Sequence, residues 1–335
     1  MQAWLERQWY RDGWWARVLF PVDLLLTLIV WLRRTAYRHG ILSSWRAPVP
    51  VVVVGNITVG GTGKTPLVLW LVEYLKLQGR HPGIISRGYG GHAQGVLAVT
   101  AASNVDEVGD EPLLMARREI CPVWIGRDRP AAGRALLAAH PECDILVSDD
   151  GLQHYALQRD FEIVVVDGQR LYGNASLLPV GPLREPLSRL DEVDAVVING
   201  GDADPWSDEH DMVLRGEVFH RLNNHAETVS ATDFSGKRLH AMAGIGNPAR
   251  FFGQLRSLGL DVVEYAFPDH HRFEAVDLQI ESADAILMTE KDAVKCFAFA
   301  PENAWYLPVK ADVIGDLGAK VMEKIVKVKD GRKTA

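Results

Sequence analysis

Cysteine is scarce in this sequence and forms no pattern. Of 335 residues only three are cysteine, at positions 121, 143 and 296, and no two of them form a C-x-x-C pair. Three scattered cysteines exclude a disulfide framework and offer no zinc site. The simplest interpretation is a protein of a reducing compartment.

An excess of positive charge is also absent. The formal net charge is −7, so the chain has no overall basic field and we do not expect it to bind nucleic acid. Hydrophobic residues make up 47% of the chain and charged residues 24%. This balance excludes both a disordered chain and a polytopic membrane protein, and 335 residues are enough for two domains.

No apolar run is long enough to predict a transmembrane helix. Residues 18–32 are nearly all apolar, but Pro21 and Asp23 interrupt them, and spanning a bilayer takes about 20 apolar residues. A signal peptide also fits poorly, because arginines rather than small residues follow the run. Six of the ten tryptophans lie in the first 46 residues, at positions 4, 9, 14, 15, 31 and 45.

We therefore interpret residues 1–46 as an amphipathic, membrane-associated helical segment. Its aromatic rings and the arginines at positions 33, 34 and 38 suit the headgroup region of a bilayer, so the segment is expected to lie in one leaflet or dip into it. The alternative is a helix that is buried against the domain or against a partner.

The following residues alternate between strand and helix patterns. Residues 51–54 are four consecutive valines, which is typical of a strand buried on both faces in a parallel sheet. Helical spacing follows over residues 67–77. Further strands are predicted at 83–86, 144–148, 162–166 and 195–198, and helices at 111–119 and 131–139. This alternation predicts a doubly wound α/β sheet.

A phosphate-binding loop is the strongest functional signal. The segment GGTGKT at 60–65 follows the valine strand and precedes a helix, where backbone N–H groups and a helix N-terminus bind phosphates. Lys64 is placed to reach the β- and γ-phosphates of ATP, and the hydroxyl of Thr65 to bind Mg²⁺. The usual motif begins with a glycine where this chain has Thr58, but the two glycines that follow keep the loop permissive. The predicted nucleotide-binding residues of this loop are Thr58, Val59, Gly60, Gly61, Thr62, Gly63, Lys64 and Thr65.

Two carboxylates follow a predicted strand of the same sheet. Asp149 and Asp150 come directly after residues 145–148, and the carboxyl ends of strands are where α/β sheets bind ligands. A P-loop site needs an acid there to hold its metal ion. The alternative is a solvated Asp-Asp-Gly turn, and Asp167, at the end of the next strand, is a competing metal ligand.

Asp110 and His270 occupy positions that suit either structure or chemistry. Asp110 precedes a predicted helix, so it could be no more than an N-cap, and a loop histidine such as His270 is usually solvated. Arginine-bearing loops at 86–90, 126–129 and 181–186 could bind phosphate or form surface salt bridges.

Two weaker motifs suggest other nucleotides. Residues 244–249 match the G-x-G-x-x-[GA] pattern of dinucleotide sites, but a lone match is weak. Residues 289–292, Thr-Glu-Lys-Asp, are similar to a guanine-reading motif, although the lysine and the aspartate are adjacent rather than separated by one residue. This departure favours ATP over GTP.

Taken in order, these motifs resemble the tetraacyldisaccharide 4′-kinase family, the lipid A 4′-kinases of the Gram-negative inner membrane. The resemblance rests on segments at 55–66, 86–90, 109–112, 149–153, 182–186, 243–248, 269–270 and 289–292. It implies ATP-dependent phosphorylation of the 4′-hydroxyl of a tetraacylated glucosamine disaccharide 1-phosphate. It also implies that the enzyme works at the cytoplasmic face of the inner membrane, with its N-terminal helix on the membrane surface.

The resemblance further implies roles for single residues. Asp110 is expected to be the catalytic base, and His270 is expected to orient it and raise its basicity. Asp149 and Asp150 are expected to serve the metal and the nucleotide. Either could ligate the metal directly; we assign Asp149, with Thr65, to the metal and Asp150 to the nucleotide. The residues expected to bind the lipid substrate are Arg129, Gln153, Arg184 and Glu185.

The resemblance also bears on domain organisation. A P-loop domain and a smaller domain, joined by a two-stranded linker, agree with the change of pattern after residue 200, where a polar segment precedes a strand-like run at 212–219. We predict an N-terminal segment 1–46, a P-loop kinase domain 47–205, linker strands 206–235 and a smaller α/β domain 236–335 that ends in a helix.

Two other functions remain open from the residues alone. A membrane-recruited P-loop ATPase would share the loop and the metal acid, but it would need no base for an acceptor hydroxyl. A nicotinamide-dependent oxidoreductase would use residues 244–249, and purified protein without cofactor absorbance would count against it.

Overall fold

The structure is a computed structural model that describes residues 8–10, 18–201 and 209–333. Its helices are α1 (Phe20–Arg38), α2 (Lys64–Leu77), α3 (Val105–Val108), α4 (Asp110–Arg117), α5 (Arg129–Ala139), α6 (Pro248–Ser257), α7 (Glu290–Cys296) and α8 (Leu317–Lys333). Its strands are β1 (Val51–Gly55), β2 (Pro82–Ser86), β3 (Leu97–Val99), β4 (Val123–Ile125), β5 (Ile145–Asp149), β6 (Phe161–Asp167), β7 (Ala195–Asn199), β8 (Glu209–Arg215), β9 (Val218–Arg221), β10 (Thr228–Ser230), β11 (Leu239–Ala243), β12 (Val262–Ala266), β13 (Ala285–Thr289), β14 (Ala304–Leu307) and β15 (Lys310–Ile314).

Nine strands form a large sheet in the order β15-β8-β7-β6-β1-β5-β2-β4-β3. The seven inner strands, from β8 to β4, are parallel, and an antiparallel strand closes each edge. After β1 the chain adds β2, β3, β4 and β5 to the sheet on one side of β1. It then adds β6, β7 and β8 on the other side of β1. The predicted doubly wound α/β fold is confirmed, and β1 lies at the switch point where such sheets bind ligands.

The four valines of β1 contribute to two cores. Val52 and Val54 pack with α2 and α8 on one face, whereas Val51 and Val53 pack with α5 on the other. Side chains alternate between the faces of a strand, so a strand covered on both sides needs an apolar residue at every position. All four valines are accordingly buried.

Six strands form a second sheet in the order β10-β9-β14-β13-β11-β12. Its four strands from β14 to β12 are parallel, and β9 and β10 are antiparallel. The aromatic and leucine side chains of α6 fill the core on one face, and α7 covers the other. The described part of the chain therefore holds two α/β units of unequal size.

A two-stranded ribbon runs through both sheets. The predicted strand at 212–219 is in fact two strands, β8 in the large sheet and β9 in the second sheet. Residues 216–217 join them. On the return path β14 pairs with β9, and β15 pairs with β8. As a result β15 and α8, which the predicted division places in the smaller domain, pack on the large sheet. The predicted boundary at 205/206 lies outside the described residues, and the four-part division stays a prediction.

The N-terminal helix α1 has no buried residue. Leu26 and Val30 pack partly against the core of the large sheet. The apolar side chains that α1 leaves exposed are Phe20, Val22, Leu24, Leu25, Leu28, Ile29, Trp31 and Leu32. No helix among the described residues is long and apolar enough to cross a membrane. Trp9 is buried, and Trp4, Trp14 and Trp15 lie outside the described residues.

The packing of α8 on the P-loop helix can be tested at one glycine. A Cβ atom on Gly318 would lie 2.6 Å from the ring of Tyr74 in α2, so Gly318→Leu would overpack this contact. We expect the free energy of unfolding to fall by about 1–3 kcal/mol, measured by denaturant unfolding. Ala319→Leu is the matched control, because Ala319 is exposed on the same turn. Equal stability of the two variants would contradict this packing.

Candidate active site

The phosphate-binding loop leaves β1 and enters α2. Gly60 and Gly63 have φ angles of 98° and 95°, a region that favours glycine. A Cβ atom on Gly63 would also lie only 2.2 Å from Nδ2 of Asn199, which donates to the Thr62 carbonyl oxygen at 2.8 Å. Thr58 takes the place of the first glycine in the usual motif. Its φ angle is not in the positive region that favours glycine, so a threonine fits at this position.

Asp150 lies beside the loop lysine. Nζ of Lys64 is 3.4 Å from its Oδ1, and Nη1 of Arg184 donates to both carboxylate oxygens at 3.0 and 3.1 Å. Burial would raise the pKa of Asp150, but the charges of Lys64 and Arg184 outweigh it and lower the pKa to about 2. Asp150 is therefore a fixed anion that is held by two cations.

Asp149 lies in the opposite environment. It is buried at the end of β5, where Ser86 Oγ donates to its Oδ2 at 3.0 Å. Its Oδ1 has no hydrogen-bond partner among the described residues. Burial, and then the charges of Glu111 and Asp150, raise the pKa of Asp149 to about 7. A buried carboxylate oxygen without a donor is what a cation ligand requires, so this position fits a divalent ion.

The metal ligands supplied by the protein are few. The described residues contain no group of three or more histidine, cysteine, aspartate or glutamate side chains that could hold a metal. Asp149 and the Thr65 hydroxyl are the predicted ligands, and Mg²⁺ commonly takes one or two carboxylates and draws its other ligands from water and phosphates. The donor set therefore fits an ion that is bound together with a nucleotide.

Arg129 lies behind the carboxylates. The residue is 1% exposed, and its guanidinium donates to the carbonyl oxygens of Gly126 and Asp149, at 3.0 and 2.9 Å. Burial lowers the pKa of Arg129 to about 10, even though Asp149 and Asp150 act to raise it. Arg129 thus holds the main chain at the end of β5 and does not line an open surface.

Glu185 is the centre of a second buried network. Its carboxylate accepts from Gln153 Nε2 at 2.7 Å, from Tyr155 Oη at 2.7 Å and from Arg189 Nε at 3.1 Å. Gln153 also donates to the Asn56 carbonyl oxygen at 3.1 Å, directly after β1. The structure therefore brings Gln153 and Glu185 together and ties both to the strand that carries the P-loop.

Asp110 and His270 meet across the two sheets. Nδ1 of His270 is 3.2 and 3.0 Å from the two carboxylate oxygens of Asp110, which is buried at the start of α4. Burial would raise the pKa of Asp110, but the hydrogen bond from His270 and the charge of Lys291 lower it to about 2. The expectation that His270 raises the basicity of Asp110 is therefore wrong in direction, because a donor stabilises the ionised form.

Lys291 and Glu111 complete this cluster and were missed as site residues. Nζ of Lys291 lies 2.9 Å from Glu111 Oε1 and 3.5 Å from His270 Nε2. Burial acts to lower the pKa of Lys291, but Glu111 and Asp110 hold it above its usual range. Both residues lie in segments that carry the family resemblance, Glu111 at 109–112 and Lys291 in the guanine-like motif at 289–292. The aspartate of that motif, Asp292, is buried and accepts from the backbone N–H of Gly244.

A cavity of about 410 Å³ opens between α1 and the large sheet. Tyr155 lines it and links it to the network around Glu185. Four arginines and two glutamates also line it: Arg34, Arg38, Arg159, Arg189, Glu162 and Glu192. Each of these four arginines forms an ion pair with Glu162 or Glu192.

Comparison with known proteins gives consistent matches over the whole chain. The profile of the family described as Tetraacyldisaccharide-1-P 4′-kinase matches residues 15–327. A Tetraacyldisaccharide 4′-kinase of Methylobacillus flagellatus is 50% identical over 97% of this chain and 96% of its own length. One of Azoarcus sp. is 53% identical over 95% of this chain and 94% of its own. The crystal structure of LpxK from Aquifex aeolicus in complex with ATP is 30% identical, with a TM-score of 0.78 over 92% of this chain and 99% of that one.

The raised pKa of Asp149 predicts how stability depends on pH. The unfolded carboxyl has a pKa of about 3.8 and the folded one of about 7, so the stability of the metal-free protein falls as the pH rises through this window. We expect Asp149→Asn, which carries no charge, to melt at a higher temperature than the wild type at pH 8 in EDTA. The advantage should shrink as the pH falls towards 4. A difference in melting temperature that does not change with pH would show that the carboxyl is ionised throughout.

Proposed function

Because the chain belongs to the tetraacyldisaccharide 4′-kinase family, we propose that it transfers the γ-phosphoryl group of ATP to the 4′-hydroxyl of a tetraacylated glucosamine disaccharide 1-phosphate. The observation that carries this proposal is the arrangement of the cleft. The unit of the large sheet carries the P-loop, its two carboxylates and the buried Asp110, and His270 of the second unit pairs with Asp110. A simple ATPase would need the first set alone.

The nucleotide is proposed to bind along residues 58–65. The backbone N–H groups of the glycine-rich turn and the N-terminus of α2 would hold its phosphates. Lys64, which contacts Asp150 in this structure, would turn towards the transferred phosphate. Asp149 and Thr65 would hold Mg²⁺, which neutralises charge on the phosphate oxygens when it is bound. Asp150, which Arg184 holds in turn, would stay beside Lys64 as its counterion.

Asp110 is proposed to accept the proton of the 4′-hydroxyl. The hydroxyl oxygen forms a bond to the γ-phosphorus, the bond from phosphorus to the bridging oxygen of ADP breaks, and the hydroxyl proton moves to the carboxylate. A pKa of about 2 makes Asp110 a weak base. Because the transition state of phosphoryl transfer is loose, the orientation of the Asp110 carboxylate towards the hydroxyl matters more than its basicity. His270 and Lys291 supply that fixed direction.

Recognition of the sugar is proposed to involve the loop at 181–186. Gln153, Arg184 and Glu185 cluster at the end of β1, next to the predicted phosphate site. Arg129 and Glu185 would act on the substrate only indirectly, because both side chains are buried and bonded within the protein.

Attachment to a membrane surface is proposed for α1. Its exposed apolar side chains would enter the interfacial region of a bilayer, whereas Arg34 and Arg38, which pair with Glu192, line the cavity. An acylated substrate held in that bilayer would then reach the cleft with its sugar outside the membrane. We place this surface at the cytoplasmic face of the inner membrane, where ATP is available.

The central test is phosphate transfer from ATP to the tetraacylated disaccharide 1-phosphate in mixed micelles. We expect the wild type to form the 4′-phosphate, and Lys64→Ala to lose at least about 10²-fold in kcat, because the lysine stabilises charge on the transferred group. Leu77→Ala, at an exposed site on the same helix, is the control. A folded Lys64→Ala protein with near-normal turnover would overturn the assignment of the P-loop.

A second test concerns the pair formed by Asp110 and His270. We expect Asp110→Asn and His270→Ala each to lower kcat by about 10²-fold or more, with little change in the KM for ATP. Because His270 acts through Asp110, the double variant should be scarcely worse than the worse single one. His271→Ala is a matched control, since His271 contacts Asp277 instead. Fully additive losses would show that the two residues act independently.

A further inference from the structure

Asp167 is a buried carboxylate for which the proposed chemistry gives no role. It ends β6, and its Oδ1 accepts from the backbone N–H groups of Gln169 and Arg170 at 3.0 and 3.1 Å. The same oxygen lies 2.9 Å from Nη2 of Arg250, and Asn247 Nδ2 donates to Oδ2 at 3.3 Å. Arg250 lies in the first turn of α6, which packs on the second sheet, and Asn247 directly precedes that helix. Asp167 therefore joins the two units of the protein.

The turn before α6 rests on the phosphate-binding loop. A Cβ atom on Gly246 would lie 2.2 Å from the backbone nitrogen of Gly61, so the two main chains touch with no room for a side chain. Arg170 donates from Nη2 to the Gly246 carbonyl oxygen, and its Nη1 lies 3.2 Å from where a Cβ on Gly60 would be. The dinucleotide-like motif at 244–249 is thus packed against the P-loop.

The same network reaches the loop from its other side. Arg250 donates to the carbonyl oxygen of Asn199 at 3.3 Å, and the side chain of Asn199 donates to the Thr62 carbonyl oxygen at 2.8 Å. Both contacts hold main-chain atoms, not side chains. The conformation of the loop between Gly61 and Thr62 is therefore fixed by groups that converge on Asp167.

We propose that Asp167 is a positioning residue for ATP: through Arg250, Asn247 and Arg170 it clamps the turn at Gly246 onto the P-loop and so sets the direction of the N–H groups that bind phosphate. The inference rests on the proposed binding of ATP at residues 58–65. It gives a role to Asp167, which the sequence offered as a competing metal ligand. It also gives a role to the glycines at 244–249, which match a dinucleotide-binding pattern.

The physical reason is geometric. Backbone N–H groups bind phosphate well only when several of them point at the same oxygen atoms, and a displacement of about 1 Å can cost about 10²-fold in rate. A glycine-rich loop has little stiffness of its own. The clamp supplies stiffness from outside, and it does so only while the second sheet is docked, so one set of contacts shapes the nucleotide site and brings His270 to Asp110.

Gly246→Ala tests the contact without changing any charge. The added methyl group would push the turn away from Gly61, and we expect the Kd for ATP, measured with a fluorescent ATP analogue, to rise by about tenfold or more, with a comparable fall in kcat/KM for ATP. Gly253→Ala in α6 is the matched control, because a Cβ there meets nothing within 4 Å. Unchanged Kd and kcat at 25 °C, even with a lower melting temperature, would mean that the contact is merely structural and would overturn the proposal.

Asp167→Asn and Arg250→Gln remove the ion pair of the clamp itself, and they test the proposal independently if Gly246→Ala fails to fold. In Asp167→Asn the new NH₂ group would face the NH₂ group of Asn247, and Arg250 would lose its negatively charged partner. Arg250→Gln removes the same ion pair from the other side. We expect each variant to weaken ATP binding about tenfold. The double variant should be no worse than the worse single one. Arg256→Gln, which breaks an exposed ion pair on the same helix, should leave the Kd for ATP unchanged. Strictly additive effects of Asp167→Asn and Arg250→Gln would refute a shared clamp.

These measurements separate the clamp from the identity of the acceptor. Binding of the ATP analogue needs no lipid, so a wild type that binds ATP but does not phosphorylate the disaccharide would refute the proposed function and leave the test of the clamp intact. A wild type that phosphorylates the lipid, with Asp167 variants that bind ATP normally, would refute the clamp alone.

Discussion

The contact between Asp110 and His270 is the constraint on which the rest of the structure depends. The two residues are 160 positions apart and belong to different units, Asp110 to α4 and His270 to the loop after β12, yet their side chains lie 3.0 Å apart. A hydrogen bond tolerates a few tenths of an ångström, so both sheets must be held at a fixed separation. Two contacts serve this end: Gly246 meets Gly61 of the P-loop with no room for a side chain, and α4 packs on α7.

The three acids at the cleft show how burial and neighbouring cations divide chemically identical groups. Asp110 and Asp150 each face cations and are fixed as anions, with pKa values of about 2. Asp149 shares their burial, but burial and the charges of Glu111 and Asp150 outweigh the charge of Lys64 and raise its pKa to about 7. The protein therefore leaves one negative charge unbalanced at the end of its central strands. A bound divalent ion would balance that charge, so the free enzyme is expected to give up stability for function at this residue.

Much of the fold and part of the site could be predicted from local patterns. The valines of β1 and the GGTGKT segment each carry their own signal, because a doubly buried strand and a phosphate loop are recognisable within a dozen residues. The short strands β14 and β15 were not predicted, since each depends in part on a strand far away in the sequence, β9 or β8. The burial of Arg129 was equally hidden, because its partners are main-chain carbonyls that carry no sequence signature.

The ribbon that threads both sheets has a mechanical consequence. Two antiparallel strands that are hydrogen-bonded to each other resist sliding and stretching, since either would break the ladder, but they bend and twist readily. The passage between the sheets is confined to the short stretches at 216–217 and 308–309. Motion of one unit against the other is thereby limited to the bending and twisting of this ribbon. Because the ribbon resists stretching, neither motion can carry the histidine far from its carboxylate along the strand direction.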